Sequence, residues 1–349
     1  MTINRDVLAI DEELDRLLAS GLDEHEAVLV AAFADVLRVT RGEAEAIAAA
    51  MVQAAEEGRS VAGLAVRNER VARALSAIQE AIQQALAGSL ARVPMTIAQD
   101  VQAASVGARD MIGAQLTGVA RAELRASVVA ASPDQIAAIV ERSTQRIVSQ
   151  SMPLAADVER VMRQELRRGV AVGENPRQVA RRMVRALEDA SDLSLSRAMT
   201  IARTEQIDAH RAAGKATEDG NTDVLEGWEW ICHADERLCP ACLSMHGERF
   251  PTDQPGPEGH PNCRCGRVPV TKSWAELGFS GMRERKPAGE SREDILADMS
   301  EEDLRRMLGP RGYTAWKAGD YPVSKWAVKR DNADWRPSYQ VRRPPSGSS

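Results

Sequence analysis

All five cysteines of this 349-residue chain, Cys232, Cys239, Cys242, Cys263 and Cys265, fall within one window of 34 residues that also holds His233, His246 and His260. A chain that gathers its thiols this way has to fold so that two short segments meet. The start, Asn4-Arg5-Asp6, lacks the basic-then-apolar order of an export signal, and no secretion is expected. An odd number of thiols in such a chain suits a metal or thiol site better than a disulfide framework. Cys239-Pro240-Ala241-Cys242 offers two thiols three positions apart, the spacing with which a tight turn aims both sulfurs at one tetrahedral ion. The second half is His260-Pro261-Asn262-Cys263-Arg264-Cys265, whose first donor lies eighteen residues after Cys242, a separation typical of structural zinc sites. Five donors, Cys239, Cys242, His260, Cys263 and Cys265, compete for four places, and spacing alone does not choose among them. The competing reading makes them reduced, buried thiols acting as small apolar residues. Cys232 and His233 are bystanders in either case.

A catalytic ion is disfavoured. A zinc deaminase needs His-x-Glu before Pro-Cys-x-x-Cys, whereas here His246-Gly247-Glu248 follows the cysteine pair and Leu238 stands at the proline position. No His-Glu-x-x-His string exists. A four-ligand Cys/His site is closed to water, which favours a structural role. The loop-rich surroundings promise little core, so the ion is expected to substitute for one, supplying on the order of 10 to 16 kcal/mol of folding free energy.

The rest of the chain is mainly α and α+β overall: a long helical N-terminal region, a small zinc-stapled mixed α/β core and a basic aromatic tail. Of twelve aromatic residues, Phe33 stands alone before Trp228. Residues 1–154 are rich in Ala, Leu, Arg, Glu and Gln and read as a helical bundle or an extended helical arm, with modest apolar faces of Ala, Val, Ile and Leu. Gly42, Gly58, Gly63, Gly88 and Pro94 divide 23–116 into several helices. Ser132-Pro133-Asp134-Gln135 is a capping signature that starts a helix whose Ile136, Ile139, Val140 and Ile147 share one face. Asn175-Pro176 starts another after a stop at Gly173, with Val179, Met183, Val184 and Leu187 on its face; a further start near Ser194 or Ser196 runs to a stop at Gly220-Asn221. Trp228-Glu229-Trp230-Ile231 reads as a strand with both indoles on one face, and Glu248 to Phe250 and Arg264 to Val270 as two more.

After Arg283 the chain turns acidic, from Glu290 to Asp303, with a short helix expected to end near Gly309-Pro310. From Arg305 to Arg343 ten basic residues face three acids among six Trp and Tyr rings. That mixture binds phosphates and stacks on bases or fills protein pockets, so Arg311, Trp316, Lys317, Lys325, Trp326, Lys329, Arg330, Trp335 and Arg336 are candidate contacts to double-stranded DNA or a partner protein. The alternative is that the rings pack on the rest of the molecule. A net charge of −6 argues against coating nucleic acid along the whole chain, and the lack of a long apolar stretch excludes a membrane-spanning protein.

Ala202-Arg203-Thr204-Glu205, the Trp228/Trp230 strand, Asp235-Glu236-Arg237-Leu238-Cys239-Pro240-Ala241-Cys242, His246-Gly247 and His260 to Cys265 together resemble the phage Mu F-like family of minor head (head morphogenesis) proteins, over about residues 155–272. The resemblance implies a protein present in few copies in the head of a tailed phage or prophage, made in the bacterial cytoplasm and placed in the head interior or at the portal vertex. Its implied partners are the portal and the major capsid or scaffold protein, with no membrane and no reaction. The domains expected are 1–154, a 155–275 core with the metal site, and 276–349. Arg203 and Glu205, two positions apart, cannot pair across one helix face, and are expected to brace their helix to the metal loops through Asp235, Arg237 or Arg264. The alternative function is a metal-dependent nuclease acting on phage or host DNA, using His233, His246 or Asp235.

Overall fold

The computed structural model describes residues 3–57, 69–116, 122–151, 160–161, 164–165, 168, 176–283, 289–331 and 336–345. Among these, the helices are α1 (Arg5–Glu56), α2 (Glu69–Leu90), α3 (Val93–Gln115), α4 (Ala122–Ala126), α5 (Pro133–Ser151), α6 (Pro176–Asp219), α7 (Pro240–Met245), α8 (Arg292–Asp298) and α9 (Glu301–Lys317). The strands are β1 (Leu225–Ile231), β2 (Arg249–Phe250), β3 (Gly266–Thr271), β4 (Ala327–Arg330) and β5 (Ser338–Val341). The chain is therefore mainly α with two small antiparallel sheets, ordered β2-β1-β3 and β4-β5. No helix among the described residues is long and apolar enough to cross a membrane.

Local chemistry sets several helix starts. The side chain of Asn4 accepts from the Val7 amide at 3.1 Å, which caps α1. Ser132 and Gln135 form the expected reciprocal box at the start of α5, with bonds of 2.8 and 3.3 Å. Gly21, Gly42 and Gly88 do not interrupt their helices, because a glycine inside a helix costs only about 1 kcal/mol and tertiary packing overrides it. Likewise α6 runs unbroken from Pro176 past Ser194 and Ser196, where a separate start was expected; a serine without a neighbouring proline or glycine is tolerated in a helix interior. The expected stop at Gly173 and cap at Asn175 lie outside the described residues.

The chain divides into two compact units. One comprises Gly21–Thr96 and Glu141–Glu205 and is all helical among its described residues. Among the described residues, its buried hydrophobic side chains are mostly aliphatic, among them Leu22, Leu29, Val36, Ile47, Ile78, Ile82, Ile147 and Ala202, joined by the phenyl ring of Phe33.

The other unit comprises Met1–Ser20, Ile97–Val140 and Gln206–Ser349. Its central strand β1 pairs through Trp228 with Phe250 of β2 and with Pro269 of β3. Alternation along β1 puts Trp228, Trp230 and Cys232 into one core and Ile231 into another, where it meets Val268, Val7, Leu14 and Met111. The outer edge of β3 is closed by a side chain: Gln115 of α3 donates to the Pro269 carbonyl at 2.7 Å and accepts from the Thr271 amide at 3.2 Å. A buried ion pair joins the end of α6 to β3, Glu218 and Arg267 meeting at 2.6 and 2.7 Å, and the guanidinium lies 4.3 Å from the Trp228 ring centroid.

One expectation is corrected here. The cysteine region does not lack a core. Ile295, Ala315, Tyr321 and Trp326 from the C-terminal run pack with Trp228, Trp230, Leu243 and the cysteines in one buried cluster. The aromatic rings missing from the first 227 residues are concentrated in this cluster, so an ion has no absent interior to replace. The acidic run forms two helices rather than one, because Ser291 and Ser300 each cap a fresh start. Within α9, Gly309 takes φ 67°, a left-handed conformation natural to glycine, and kinks the helix where its end was expected.

Candidate metal centre

Local sequence aims the donors. Cys239 caps α7, with Pro240 at the first helical position, and its sulfur accepts from the Cys242 amide at 3.4 Å. That turn brings both sulfurs to one side. In the second segment the Cys263 amide bonds the His260 carbonyl at 3.0 Å, closing a turn with proline second and Asn262 third at φ 62°. Proline fixes the second position and asparagine tolerates a positive φ at the third, as a type II turn requires. Gly259 stands against this turn: a Cβ there would lie 2.2 Å from the Cys263 sulfur.

The five donors meet in two triads that share Cys242, one with Cys239 and His260 and one with Cys263 and Cys265. His260 Nε2 lies 3.1 Å from Cys239 Sγ and 3.5 Å from Cys242 Sγ, and Cys242 Sγ lies 3.7 Å from Cys263 Sγ. A tetrahedral zinc with bonds of about 2.3 Å to sulfur and about 2.0 Å to nitrogen would hold its donors about 3.5 to 3.8 Å apart. The donor chemistry and spacing therefore fit such an ion. His260 fits in a further respect: its Nδ1 donates to the Pro261 carbonyl at 2.7 Å, which orients Nε2 toward the sulfurs in the manner of a metal-bound imidazole.

Electrostatics agree with the geometry. Hydrogen bonding from Cys242, helped by His260 and opposed by burial, lowers the Cys239 thiol to about 5. Burial opposes charge on His260, but the bond to Cys239 and its negative charge outweigh it and raise the imidazole to about 9. Hydrogen bonds from Cys242 and Cys265 lower Cys263, and hydrogen bonds with Cys239, then Cys263 and Cys265, raise Cys242. Burial raises Cys265, and it pushes the bystander Cys232 up to about 12.

Arg211 of α6 was not singled out in the sequence. Its Nη2 donates to the Cys263 carbonyl at 2.6 Å, the Cys265 carbonyl at 2.9 Å and the Cys263 sulfur at 3.5 Å, and its Nε to the Cys265 carbonyl at 3.1 Å. Burial opposes its charge, but Cys263 and Asp208 outweigh that and keep it a cation. The only signal in the sequence is an arginine next to Ala209, Ala212 and Ala213 on a packed helix.

Of the expected brace, Asp235 and Arg264 are joined as an ion pair, and Arg264 also lies 3.8 Å from Asp15 of α1. Arg237 is exposed and its amide bonds the Asp235 carboxylate at 2.9 Å. Arg203 pairs with Glu26, while Glu205 lies 3.4 Å from Arg146 and accepts from Gln150 at 3.3 Å. His246 accepts the Cys232 amide on Nδ1 at 3.1 Å and donates from Nε2 to the Glu290 carbonyl at 3.0 Å, so both nitrogens have partners. His233 lies 3.5 Å from Asp15.

The candidate contact residues of the C-terminal run divide by burial. Trp326 is fully buried and donates its indole N–H to the Tyr321 carbonyl at 2.8 Å, which leaves no face for a base. Arg336 bonds Asp208 with two nitrogens, Lys329 pairs with Glu258, and Lys317 lies 5.3 Å from the Tyr313 ring centroid. Arg311, Lys325 and Arg330 are exposed, and Trp316 is half-buried. Trp335 lies outside the described residues.

Comparison with curated proteins gave no match, and neither did comparison with solved structures. Residues 160–268, just under a third of the chain, match the model of the family described as Phage Mu protein F like protein.

Proposed function

We propose that the chain is a structural minor head protein of a tailed phage or prophage, acting in capsid assembly at the portal vertex or inner capsid surface. In this reading one zinc ion, held by four of Cys239, Cys242, His260, Cys263 and Cys265, staples its Mu F-like segment. The observation that carries the reading is coincidence of place: the matched residues 160–268 include every donor that meets in the two triads. Bound zinc would cross-link the α7 turn to the His260 loop. Because aromatic packing already supplies a core beside these loops, the ion fixes their shape rather than replacing an interior. The partners in this reading are the portal and the major capsid or scaffold protein. Contact with packaged double-stranded DNA falls to the exposed Arg311, Lys325 and Arg330 and the half-buried Trp316.

The test is made on heads purified from the source phage or induced prophage. Mass spectrometry and cross-linking are expected to find the chain in the head, joined to the portal or capsid protein, and elemental analysis of the purified chain to find one zinc. Absence from heads overturns the structural role. Metal-dependent DNA cleavage that is lost in His246→Ala overturns it in favour of a nuclease.

A further inference from the structure

Arg211 poses a charge problem that the metal centre solves. Its side chain is 7% exposed, and its nearest carboxylate, Asp208 at 3.3 Å, is already held by both terminal nitrogens of Arg336, one of them at 2.7 Å. An arginine removed from water costs several kcal/mol unless an anion faces it. The remaining polar atoms against it are two carbonyls and the sulfur of Cys263. Asp208 thus sets one negative charge against two guanidiniums, and the second anion must come from the thiol cluster. A divalent ion with two thiolates and two neutral donors is uncharged, with three thiolates and one imidazole carries −1, and with four thiolates carries −2.

Resting on the zinc reading above, we infer that Arg211 is the counter-charge of an anionic metal centre built from Cys239, Cys242, His260 and Cys263, three thiolates and one imidazole, with Cys265 left as a thiol. One guanidinium balances one net negative charge. The Cys265 sulfur also lies within 4.8 Å of those of Cys242 and Cys263, so charge balance and the Arg211 contact, rather than distance alone, select the four. Cys239, Cys242, His260 and Cys263 are linked in a chain of contacts at 3.1, 3.5 and 3.7 Å, and Cys263 is the sulfur that receives the Arg211 N–H. Cys265 meets Arg211 through its carbonyl instead, so its part is to anchor the segment that carries Cys263. Arg211 is a positioning residue: it holds the second segment against α6 and lowers the cost of gathering three thiolates.

Cobalt(II) titration of the full-length chain tests this, with sulfur-to-metal charge transfer counting the thiolates. The expected spectrum is tetrahedral with three sulfurs. Cys263→Ala should reduce the charge-transfer intensity by about a third, and Cys265→Ala should leave it unchanged. Arg211→Gln should weaken metal binding about 10- to 100-fold, as loss of a partner of the ligand shell does, whereas Arg211→Lys, which keeps the charge, should recover most of it. No tetrahedral cobalt spectrum would overturn the metal reading itself. A four-sulfur spectrum that loses intensity in Cys265→Ala, or equal affinities in the glutamine and lysine variants, would overturn the counter-charge and leave the metal site standing. Should neither Arg211 variant fold, the sulfur count alone decides, since two or four thiolates contradict the inference and three support it.

Discussion

Replacing Gly259 with alanine tests whether the His260 turn is shaped around a metal ligand. The new methyl carbon would lie 2.2 Å from the sulfur and 2.6 Å from the Cβ of Cys263, where ordinary contact begins near 3.4 Å. Relief requires a displacement of roughly 1.2 Å, several times the tolerance of about 0.2 Å for metal–ligand distances. Rotating the cysteine does not help, because its Cβ is also too close. Moving the glycine instead strains the bridge between Gly259 and Tyr339 and the 2.8 Å bond from the Tyr339 amide to the Glu258 carbonyl. Moving the Cys263 backbone strains its 2.6 Å bond to Arg211. The sulfur is therefore expected to leave the cluster. Competition with a zinc chelator should show affinity reduced about 10- to 100-fold, or about 1.4 to 2.8 kcal/mol. Far-ultraviolet circular dichroism should change little, because the helices do not depend on this turn. Unchanged chelator resistance in Gly259→Ala would refute the assignment of Cys263 to the metal.

Four further outcomes are expected from urea denaturation of the full chain. Glu218→Gln leaves the Arg267 guanidinium buried opposite a neutral amide and should lower stability by about 3 to 5 kcal/mol; a loss below 1 kcal/mol would contradict the burial argument. Gln115→Ala uncaps the edge of β3 and should lose about 1 to 3 kcal/mol, with faster amide exchange at Thr271 as the local signature. Burial raises the Asp100 carboxyl to about 6 despite the bond from Gln206. The native state then binds the extra proton between about pH 4 and 6, and stability falls as pH rises through that window. Asp100→Asn should therefore stabilise the chain at pH 7.5 by up to about 3 kcal/mol and make no difference below pH 4. His210 behaves in the opposite sense. Burial, then the charges of Arg211 and His233, lower it to about 4, so stability falls as pH drops from about 6.5 to 4, and His210→Gln should flatten that limb.

Several elements were legible because short-range chemistry alone specifies them. The Ser132 box and the alternation that sets Trp228 and Trp230 on one face depend on a few neighbouring residues, and both stand where expected. Helix lengths were less legible. Interior glycines and serines are weak punctuation, and packing carried α1 and α6 through them. The C-terminal rings illustrate a harder limit: a basic run rich in Trp and Tyr reads the same whether its rings face a partner or their own core.

The amino-acid sequence by itself determined that the chain is mainly helical, that its thiols cluster in two segments with metal-ligand spacing, and that it carries Mu F-like motifs. These follow from composition, periodicity and local spacing, which act over a few residues. The tertiary structure decided that Trp326 and Tyr321 complete the core around the cysteines. It also decided that Arg211, some 50 residues before Cys263, lies beside that sulfur, and that Gly259 leaves the sulfur its space. The physical reason is that burial and counter-charge depend on which distant segments meet, and no local pattern encodes that.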